Sequence, residues 1–252
     1  VVGESQILSQ VKDAYEAARH INAAGPIIHA AFQRASHVAK RVTNETEIHS
    51  KRISIPSVAV SEVASNFFEH FDDKHILVIG SGEMGSETMR YLRDAGASKI
   101  KLINRSIENA KRMADALNVE FDGRPSLTVC DWSRLHDELA EADLVISTTS
   151  ATSAIVTENH YREVQRQRKK KSDQLILDLA VPRDFEASIG DLPNVYVYSV
   201  DDLQTVCERN LSFRKKQFPK AKSIVTEETQ RFLADLQFWQ AIPTIKAIQE
   251  FA

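Results

Sequence analysis

Residues 74–200 alternate between short apolar runs and longer amphipathic segments, and this alternation constrains the fold more than any other feature. The apolar runs are HILVIG, KIKLI, SLTVC, DLVIS and QLILDL, with VYVY near Tyr196 as a sixth. Each has the length of a strand and a largely continuous apolar character, which is typical of parallel strands covered on both faces. The segments between them, such as residues 83–95, 107–117 and 134–140, are predicted helices. The sequence therefore predicts an α/β fold built on a doubly wound parallel sheet.

Helical patterns precede the predicted sheet. Apolar side chains recur at three-to-four spacing over residues 5–42, and AGP at residues 24–26 divides this segment into a predicted helical hairpin. The polar residues 43–57 are a predicted connector. An apolar stripe from Val60 to Phe71 predicts a further helix, which we expect Ser57 to cap.

A long charged helix is predicted after Val200, where the strands stop. Pro219 is expected to kink or delay this helix, and Pro243 to end or bend it. Its narrow apolar seam consists of Val225, Thr229, Phe232, Leu236 and Trp239. Packing against the sheet domain and packing against a partner helix both explain such a seam, and we expect self-association.

Composition excludes several protein classes. The 252 residues are 42% hydrophobic and 27% charged, as in an ordinary globular protein. No apolar run approaches the roughly 20 residues that span a bilayer. No secretory signal pattern is present at the start, so we expect a cytoplasmic protein without membrane contact. The formal net charge of −3 argues against a protein that coats nucleic acid. The basic run QRQRKKK at residues 165–171 is interpreted as a solvated loop, with a contact to nucleic acid as the alternative.

The sequence offers no pattern for a metal site. Its two cysteines, Cys130 and Cys207, lack CxxC spacing, and its eight histidines form no HExxH cluster. We expect two packed thiols and assign no metal ligands.

A glycine-rich loop, GSGEMG, directly follows the first predicted strand and precedes a predicted helix. In this context Gly80 permits a tight turn, Gly82 lets the backbone approach a pyrophosphate, and Gly85 allows close helix–strand contact. Free amides at the helix start also face phosphates. The loop therefore predicts a Rossmann-type dinucleotide site, with a ligand-free tight turn as the alternative. The predicted site residues are Gly80, Ser81, Gly82, Glu83, Met84 and Gly85.

The end of the second strand distinguishes between nicotinamide cofactors. NAD sites usually present Asp or Glu there, and such a carboxylate repels a 2′-phosphate. This chain has Asn104, Arg105 and Ser106 instead. Arg105 can pair with the phosphate and stack on adenine, with polar contacts from its two neighbours. The sequence therefore favours NADPH.

Two polar loops follow the fourth and fifth strands, at residues 147–151 and 178–184. Ligands of doubly wound sheets lie beyond the carboxyl ends of the strands, so these loops are candidate walls of a nicotinamide pocket. Their Ser, Thr and Asp side chains equally suit caps of helices and turns.

Several motifs, taken in order, resemble the glutamyl-tRNA reductase family over nearly the whole chain. They are GESQILSQVKDAY, AFQRASHVAKRV, NETEI, VIGSGEMG with INRS, LDLAVPRD, and VDDL followed by ERN and a long helix. The resemblance implies NADPH-dependent reduction of glutamyl-tRNA to glutamate 1-semialdehyde, the entry to tetrapyrrole synthesis. It also implies a V-shaped homodimer and a downstream aminomutase partner. The implied domains are 1–52, the helical end of a catalytic domain; 53–200, an NADPH domain; and 201–252, a connecting helix and the start of a dimerisation domain.

The same resemblance implies that four residues line the glutamyl site: Glu4, Ser5, Gln6 and Gln10. Their carboxylate, hydroxyl and amide groups suit charge-assisted hydrogen bonds to the substrate's ammonium and carboxylate. From the residues alone, Glu4 and Ser5 are a helix-start signal.

The family's nucleophile is a cysteine that forms a thioester, and the resemblance places it upstream of Val1. Cys130 and Cys207 lack its sequence context, so we assign no catalytic residue within the chain. The sequence begins VVGESQ without Met, and we expect a reductase that lacks most of its catalytic domain.

Two alternative functions stay open. A shikimate-dehydrogenase-like oxidoreductase shares the glycine loop and the NR pair, but it predicts an α/β substrate domain where residues 1–57 have helical patterns. A non-catalytic paralogue that binds NADPH and dimerises is the other alternative.

Overall fold

The computed structural model describes the backbone of residues 5–170 and 172–250 and the side chains of residues 7–170 and 172–238. A six-stranded, all-parallel sheet with the order β3-β2-β1-β4-β5-β6 forms its centre, which confirms the predicted doubly wound fold. The strands are β1 Ile76–Ile79, β2 Lys99–Ile103, β3 Ser126–Cys130, β4 Leu144–Ser147, β5 Gln174–Asp178 and β6 Val195–Ser199.

Helices connect the strands and extend the chain at both ends. They are α1 Ser5–His20, α2 Pro26–Glu45, α3 Ile55–Val58, α4 Ser65–Phe67, α5 Glu83–Asp94, α6 Ile107–Glu120, α7 Leu135–Glu141, α8 Glu158–Gln167 and α9 Val200–Glu250. A π-helical turn, Ala59–Ala64, joins α3 to α4. The predicted break at residues 24–26 separates α1 from α2, as expected of a helical hairpin.

The apolar strands divide the core into two layers. All four residues of β1 are buried, and successive side chains point to opposite faces of the sheet. Ile76 and Val78 pack in one layer with Met89 of α5, whereas Leu77 and Ile79 pack in the other. Burial on both faces, at roughly 1.5–3 kcal/mol for each large apolar side chain, explains why the strand sequences are continuously apolar.

The connection into the sheet differs from the predicted helix. Ser57 lies inside α3 and is buried, and its hydroxyl donates to the Ser54 carbonyl at 2.8 Å, so the prediction that Ser57 caps this helix is wrong. Pro56 fixes the first helical turn, which places the helix start before Ser57. The helical stretch ends at Phe67, and Phe71 lies beyond it.

The long helix α9 begins at Val200 and runs through both prolines, so the delayed start predicted from Pro219 and the end predicted from Pro243 are wrong. An interior proline costs about 3 kcal/mol. Buried residues that flank Pro219 on this helix, Asn210, Ala221 and Ile224, supply packing that offsets such a cost.

The predicted seam is largely exposed on α9. Val225 and Thr229 face solvent, Phe232 and Leu236 are half-buried, and the side chain of Trp239 lies outside the described residues. The buried stripe of this helix lies on another face.

The chain divides into two compact units, one of Arg52–Glu208 and one of Val1–Lys51 with Arg209–Ala252. The first unit contains the sheet. In the second, α2 contacts α9 through arginines that converge on Glu228.

Glu228 is the centre of this ion-pair network, with only 2% of its side chain exposed. Arg34 donates to its Oε2 at 2.9 Å, Arg41 to its Oε1 at 2.7 Å, and Arg231 to its Oε1 at 3.0 Å. Arg34 also donates to Asp235 at 2.5 Å. The hydrogen bonds from Arg34 and then Arg41 lower the pKa of Glu228 to about 2.

Glu228 should make the stability of this unit sensitive to acid. Because its pKa falls from 4.5 to about 2 on folding, its contribution is present above pH 4.5 and is lost as the pH falls through about 2. Glu228→Gln should therefore flatten the dependence of the free energy of unfolding on pH in this interval, as measured by urea denaturation. Glu163→Gln, which removes an exposed carboxylate of α8, is the control. Wild-type acid sensitivity in Glu228→Gln would contradict this assignment.

Candidate functional site

A crevice of about 440 Å³ opens at the carboxyl ends of the strands. The strand order reverses between β1 and β4. In doubly wound folds the loops on either side of such a reversal run in opposite directions, and ligands bind in the crevice between them. The loops after β1, β2, β3 and β4 line the crevice. All of them belong to the unit Arg52–Glu208.

Close packing against Thr148 leaves no room for a side chain at Gly80 or Gly85. Gly80 has a φ of +107°, and a Cβ there would lie 2.8 Å from the Thr148 Oγ1 and 2.9 Å from its carbonyl carbon. A Cβ on Gly85 would lie 2.9 Å from the same Oγ1 and 3.2 Å from the Gly80 carbonyl oxygen. The structure thus places β1, α5 and the loop after β4 in contact through these two residues.

Gly82 has a different environment. It precedes α5 with a φ of −87°, a value open to any residue, and no atom lies within 4 Å of the position of a Cβ. Gly82 lines the crevice with Ser81. The open space above its backbone is the cradle that a closely bound group would occupy.

The first turn of α5 consists of Glu83, Met84 and Gly85. No side chain caps this helix start, and first-turn amides of a helix lack intrahelical partners. Together with the helix dipole, these amides favour an anion at the crevice.

The loop after β2 brings together Asn104, Arg105 and Ser106 in the crevice wall. The side-chain amide of Asn104 donates to the Ser106 carbonyl at 2.9 Å. The Ser106 Oγ accepts from the backbone amide of Asn109 and thereby caps α6. Ser106 also lies 3.1 Å from the Glu108 carboxylate. The side chains of Asn104 and Ser106 therefore hold the turn in shape.

Arg105 is exposed, with its guanidinium carbon 5.6 Å from the centre of the Trp132 ring. Trp132 and Asn109 line the crevice, and sequence analysis missed both. The available signal was that Trp132 follows the end of β3, which pairs with β2. A cation beside an aromatic face suits a planar ring and a phosphate.

The loop after β4 lines the crevice with Thr148, Thr149, Ser150 and Ala151. The buried Asp184 carboxylate shapes this loop: it accepts from the Ser147 Oγ at 2.6 Å and from the Thr149 amide and hydroxyl at 3.1 and 2.5 Å. Residues 147–151 and 178–184 were the two loops considered as walls of the pocket or as caps, and only the first of them, after β4, lines the crevice. Asp184 from the other loop supports it.

Asp178, at the end of β5, is also fully buried. It accepts hydrogen bonds from the Phe185 amide at 2.9 Å and the Ala180 amide at 3.2 Å. Burial, followed by the charge of Asp184, raises the pKa of Asp178 to about 6. Both carboxylates act inside the protein as acceptors that close the turn.

Burial also raises the pKa of both thiols, Cys130 and Cys207. A thiol nucleophile needs a lowered pKa, so neither cysteine has the environment of an activated nucleophile. Within the described residues, no group of His, Cys, Asp or Glu has a metal-binding arrangement. Among those same residues, no helix is both long and apolar enough to cross a bilayer.

The predicted glutamyl-site residues belong to the other compact unit. Glu4 lies outside the described residues. Ser5 and Gln6 begin α1, although their side chains are not described, and Gln10 is exposed on this helix.

The basic run after α8 is partly structural. Arg168 donates to the carbonyls of Ala140 and Ala142, at 3.2 and 2.5 Å, near the end of α7. Lys170 pairs with Asp143 at 2.7 Å. These contacts replace the expectation of a wholly solvated loop.

Comparisons with known proteins match both units. A family model described as shikimate / quinate 5-dehydrogenase matches residues 62–206, and one described as glutamyl-tRNAGlu reductase, N-terminal domain, matches residues 1–46. A relative named glutamyl-tRNA reductase from Rhodopirellula baltica is 44% identical over all 252 residues, which are 57% of its own length. One of the same name from Oceanobacillus iheyensis is 36% identical over the whole chain and 53% of its length.

A solved structure of glutamyl-tRNA reductase from Methanopyrus kandleri also matches the chain. It has a TM-score of 0.82 and 33% identity, and the match covers 96% of this chain and 58% of that protein. The chain thus spans a little over half the length of these relatives.

The two types of glycine should respond differently to a methyl group. Gly80→Ala should destabilise the fold by about 2 kcal/mol or more, because it combines a left-handed φ with a steric clash. Gly82→Ala should change the free energy of unfolding by less than about 0.5 kcal/mol, since its methyl group meets open space. Equilibrium denaturation measures both variants. Equal losses in the two would contradict the distinction.

Proposed function

Because the chain belongs to the glutamyl-tRNA reductase family, with residues 62–206 in the shikimate / quinate 5-dehydrogenase family, we propose that it is part of an NADPH-dependent glutamyl-tRNA reductase. The proposed reaction reduces the activated glutamate of glutamyl-tRNA to glutamate 1-semialdehyde. This is the first step of tetrapyrrole synthesis by the C5 route.

The cradle at Gly82 is the observation that carries this proposal. Open space above Gly82, uncapped amides at the start of α5 and the Arg105–Trp132 pair suit the pyrophosphate and adenosine of a dinucleotide. When bound, the nicotinamide supplies the hydride. Proposed cofactor contacts come from Gly80, Ser81, Gly82, Glu83, Met84, Gly85, Asn104, Arg105 and Ser106.

Charge at the end of β2 favours NADPH over NADH. The residue at this position is Asn104 and not a carboxylate, so no charge repels a 2′-phosphate from the strand itself. The exposed guanidinium of Arg105 can pair with that phosphate. The carboxylate of Glu108, in the first turn of α6, would oppose this preference.

The proposed reduction of the aminoacyl ester to the aldehyde uses a nucleophile as well as a hydride. In the proposed mechanism a cysteine outside this chain attacks the aminoacyl ester and releases the tRNA, which leaves a thioester. Hydride from a bound nicotinamide would reduce the thioester to the aldehyde and release the thiolate. Glu4, Ser5, Gln6 and Gln10 would position the glutamyl group.

The proposed organisation follows the family. Residues 1–52 would complete a catalytic domain, 53–200 would bind NADPH, and 201–252 would lead into a dimerisation domain. The exposed seam of α9 supports a homodimer, because Val225 and Thr229 face solvent in the single chain. A cytoplasmic location and an aminomutase partner that accepts the aldehyde complete the proposal.

The shikimate-dehydrogenase alternative has specific support only from the match over residues 62–206. The preceding described residues form the helices α1 and α2, in place of the α/β substrate domain that this alternative predicts. An NADPH-binding paralogue without catalytic activity would share the crevice and lack turnover.

Turnover by the full-length protein tests the proposed function. With glutamyl-tRNA present, the absorbance of NADPH should fall as aldehyde forms, and shikimate should not be oxidised. Gly82→Ala should lower kcat/KM at least about tenfold while stability is kept, because its methyl group occupies the cradle. Shikimate oxidation would favour the dehydrogenase, whereas NADPH binding without turnover would favour the non-catalytic paralogue.

Arg105 should determine the choice of cofactor. Arg105→Ala should reduce the ratio of NADPH to NADH affinity at least about tenfold, because a charge-assisted hydrogen bond is worth about 1.5–3 kcal/mol. Titration with each cofactor measures this ratio. Arg166→Ala, an exposed arginine at the end of α8, should leave it unchanged. Tighter binding of NADH by the wild type would refute the NADPH assignment.

A further inference from the structure

The segment of α9 between Glu208 and Glu227 is strongly basic. Its 18 residues include six basic residues and no Asp or Glu, in a chain whose net charge is −3. The basic residues are Arg209, Arg214, Lys215, Lys216, Lys220 and Lys222. All of them lie in the unit Val1–Lys51 with Arg209–Ala252.

The lysines differ from Arg214 in their surroundings. Arg214 is buried and donates to the Lys51 carbonyl at 2.8 Å, which gives it a structural role. The four lysines are exposed. Lys215 and Lys222 form no ion pair with any residue that the structure describes, in contrast to Lys170.

Exposed apolar side chains lie beside Lys215 and Lys222 on this helix. Leu211, Phe218 and Val225 recur every seven residues and are 38%, 47% and 46% exposed. Lys215 and Lys222 follow the first two of them by four residues, which places them on the same face of the helix. We name Lys215, Phe218 and Lys222 the basic face.

A second copy of α9 does not fit the basic face. In a helix seam that repeats every seven residues, the position four after each apolar residue is also apolar. Lys215 and Lys222 occupy that position here, whereas Thr229 and Leu236 occupy it further along. Self-association through the basic face would bring like charges together. The exposed seam further along the helix therefore suits a partner helix, whereas the basic face suits an anion.

An anionic membrane is also a poor fit. A helix that lies on a membrane inserts an apolar face. The opposite side of this segment, which includes Ala221 and Ile224 at 7% and 5% exposure, is already packed within the protein, and Leu211, Phe218 and Val225 leave only a single exposed apolar row, narrower than the apolar face of an amphipathic helix. A polyanion that contacts lysines along a helix without insertion matches a nucleic-acid backbone.

We propose that the basic face of α9 binds the phosphate backbone of the tRNA substrate. This inference rests on the proposed function, which supplies an RNA partner. Lys215 and Lys222 lie about 10 Å apart along the helix axis and would contact separate phosphates. Such contacts would orient the tRNA without reading its bases.

Charge reversal tests the proposal with the full-length protein and a transcript of unacylated tRNAGlu. Lys215→Glu combined with Lys222→Glu should weaken tRNA binding at least about tenfold and lower the log–log salt slope by about 1.5 to 2. Lys99→Glu combined with Lys111→Glu changes the net charge equally at exposed sites of the other unit and is the control. NADPH affinity, measured in parallel, should be unchanged in both variants.

The possible outcomes are distinct. Wild-type protein that fails to bind tRNA would overturn the proposed function and this inference with it. Wild-type binding that both variants retain, or lose equally, would overturn only the role of the basic face. The same holds if the Lys215 and Lys222 variant keeps tRNA binding and instead changes the oligomeric mass or loses binding to vesicles of phosphatidylserine and phosphatidylcholine.

Discussion

The contact of Thr148 with two glycines is the constraint on which the crevice depends. A Cβ on either Gly80 or Gly85 would lie within 3 Å of the Thr148 side chain, so the loop after β4 can approach β1 and α5 only because both positions lack one. The Thr148 amide also donates to the carbonyl of Ile79 at 2.8 Å. These contacts fix the point where the strand order reverses, and the other crevice walls are built around it.

Polar groups around the crevice divide into those that are satisfied inside the protein and those left for a ligand. Asp178 and Asp184 accept hydrogen bonds from backbone amides and hydroxyls, and Asn104 and Ser106 close their own turn. Buried polar groups need such partners because desolvation without them is costly. Arg105 and the amides at the start of α5 are the groups that remain available at the surface.

The other compact unit depends on charge. Glu228 is buried because arginines from α2, distant in sequence, hydrogen-bond both of its carboxylate oxygens. A lone carboxylate could not be buried there, since its desolvation would exceed any packing gain. The network fixes which face of α9 is covered, and it thereby leaves both the basic face and the apolar seam exposed.

Local sequence patterns predicted the strands of the sheet correctly. The continuous apolar runs predicted the strands, because a strand that is buried on both faces of a sheet needs apolar side chains at successive positions. The spacing of the glycines predicted the loop after β1. The place of Arg105 after β2 predicted only that its side chain lies at the crevice, and its role toward a cofactor stays a prediction. These inferences depend on residues that are neighbours along the chain.

The tertiary structure decided which residues from distant segments contact one another. Trp132 lies beside Arg105 only because β3 pairs with β2. The face of α9 that is buried depends on ion pairs with arginines of α2 that are nearly two hundred residues away in sequence. The same packing keeps α9 helical through Pro219, against its local preference. Local chemistry thus determined the strands and the position of the glycine-rich loop, while burial and long-range charge pairing determined which side chains are packed inside the protein and which face solvent.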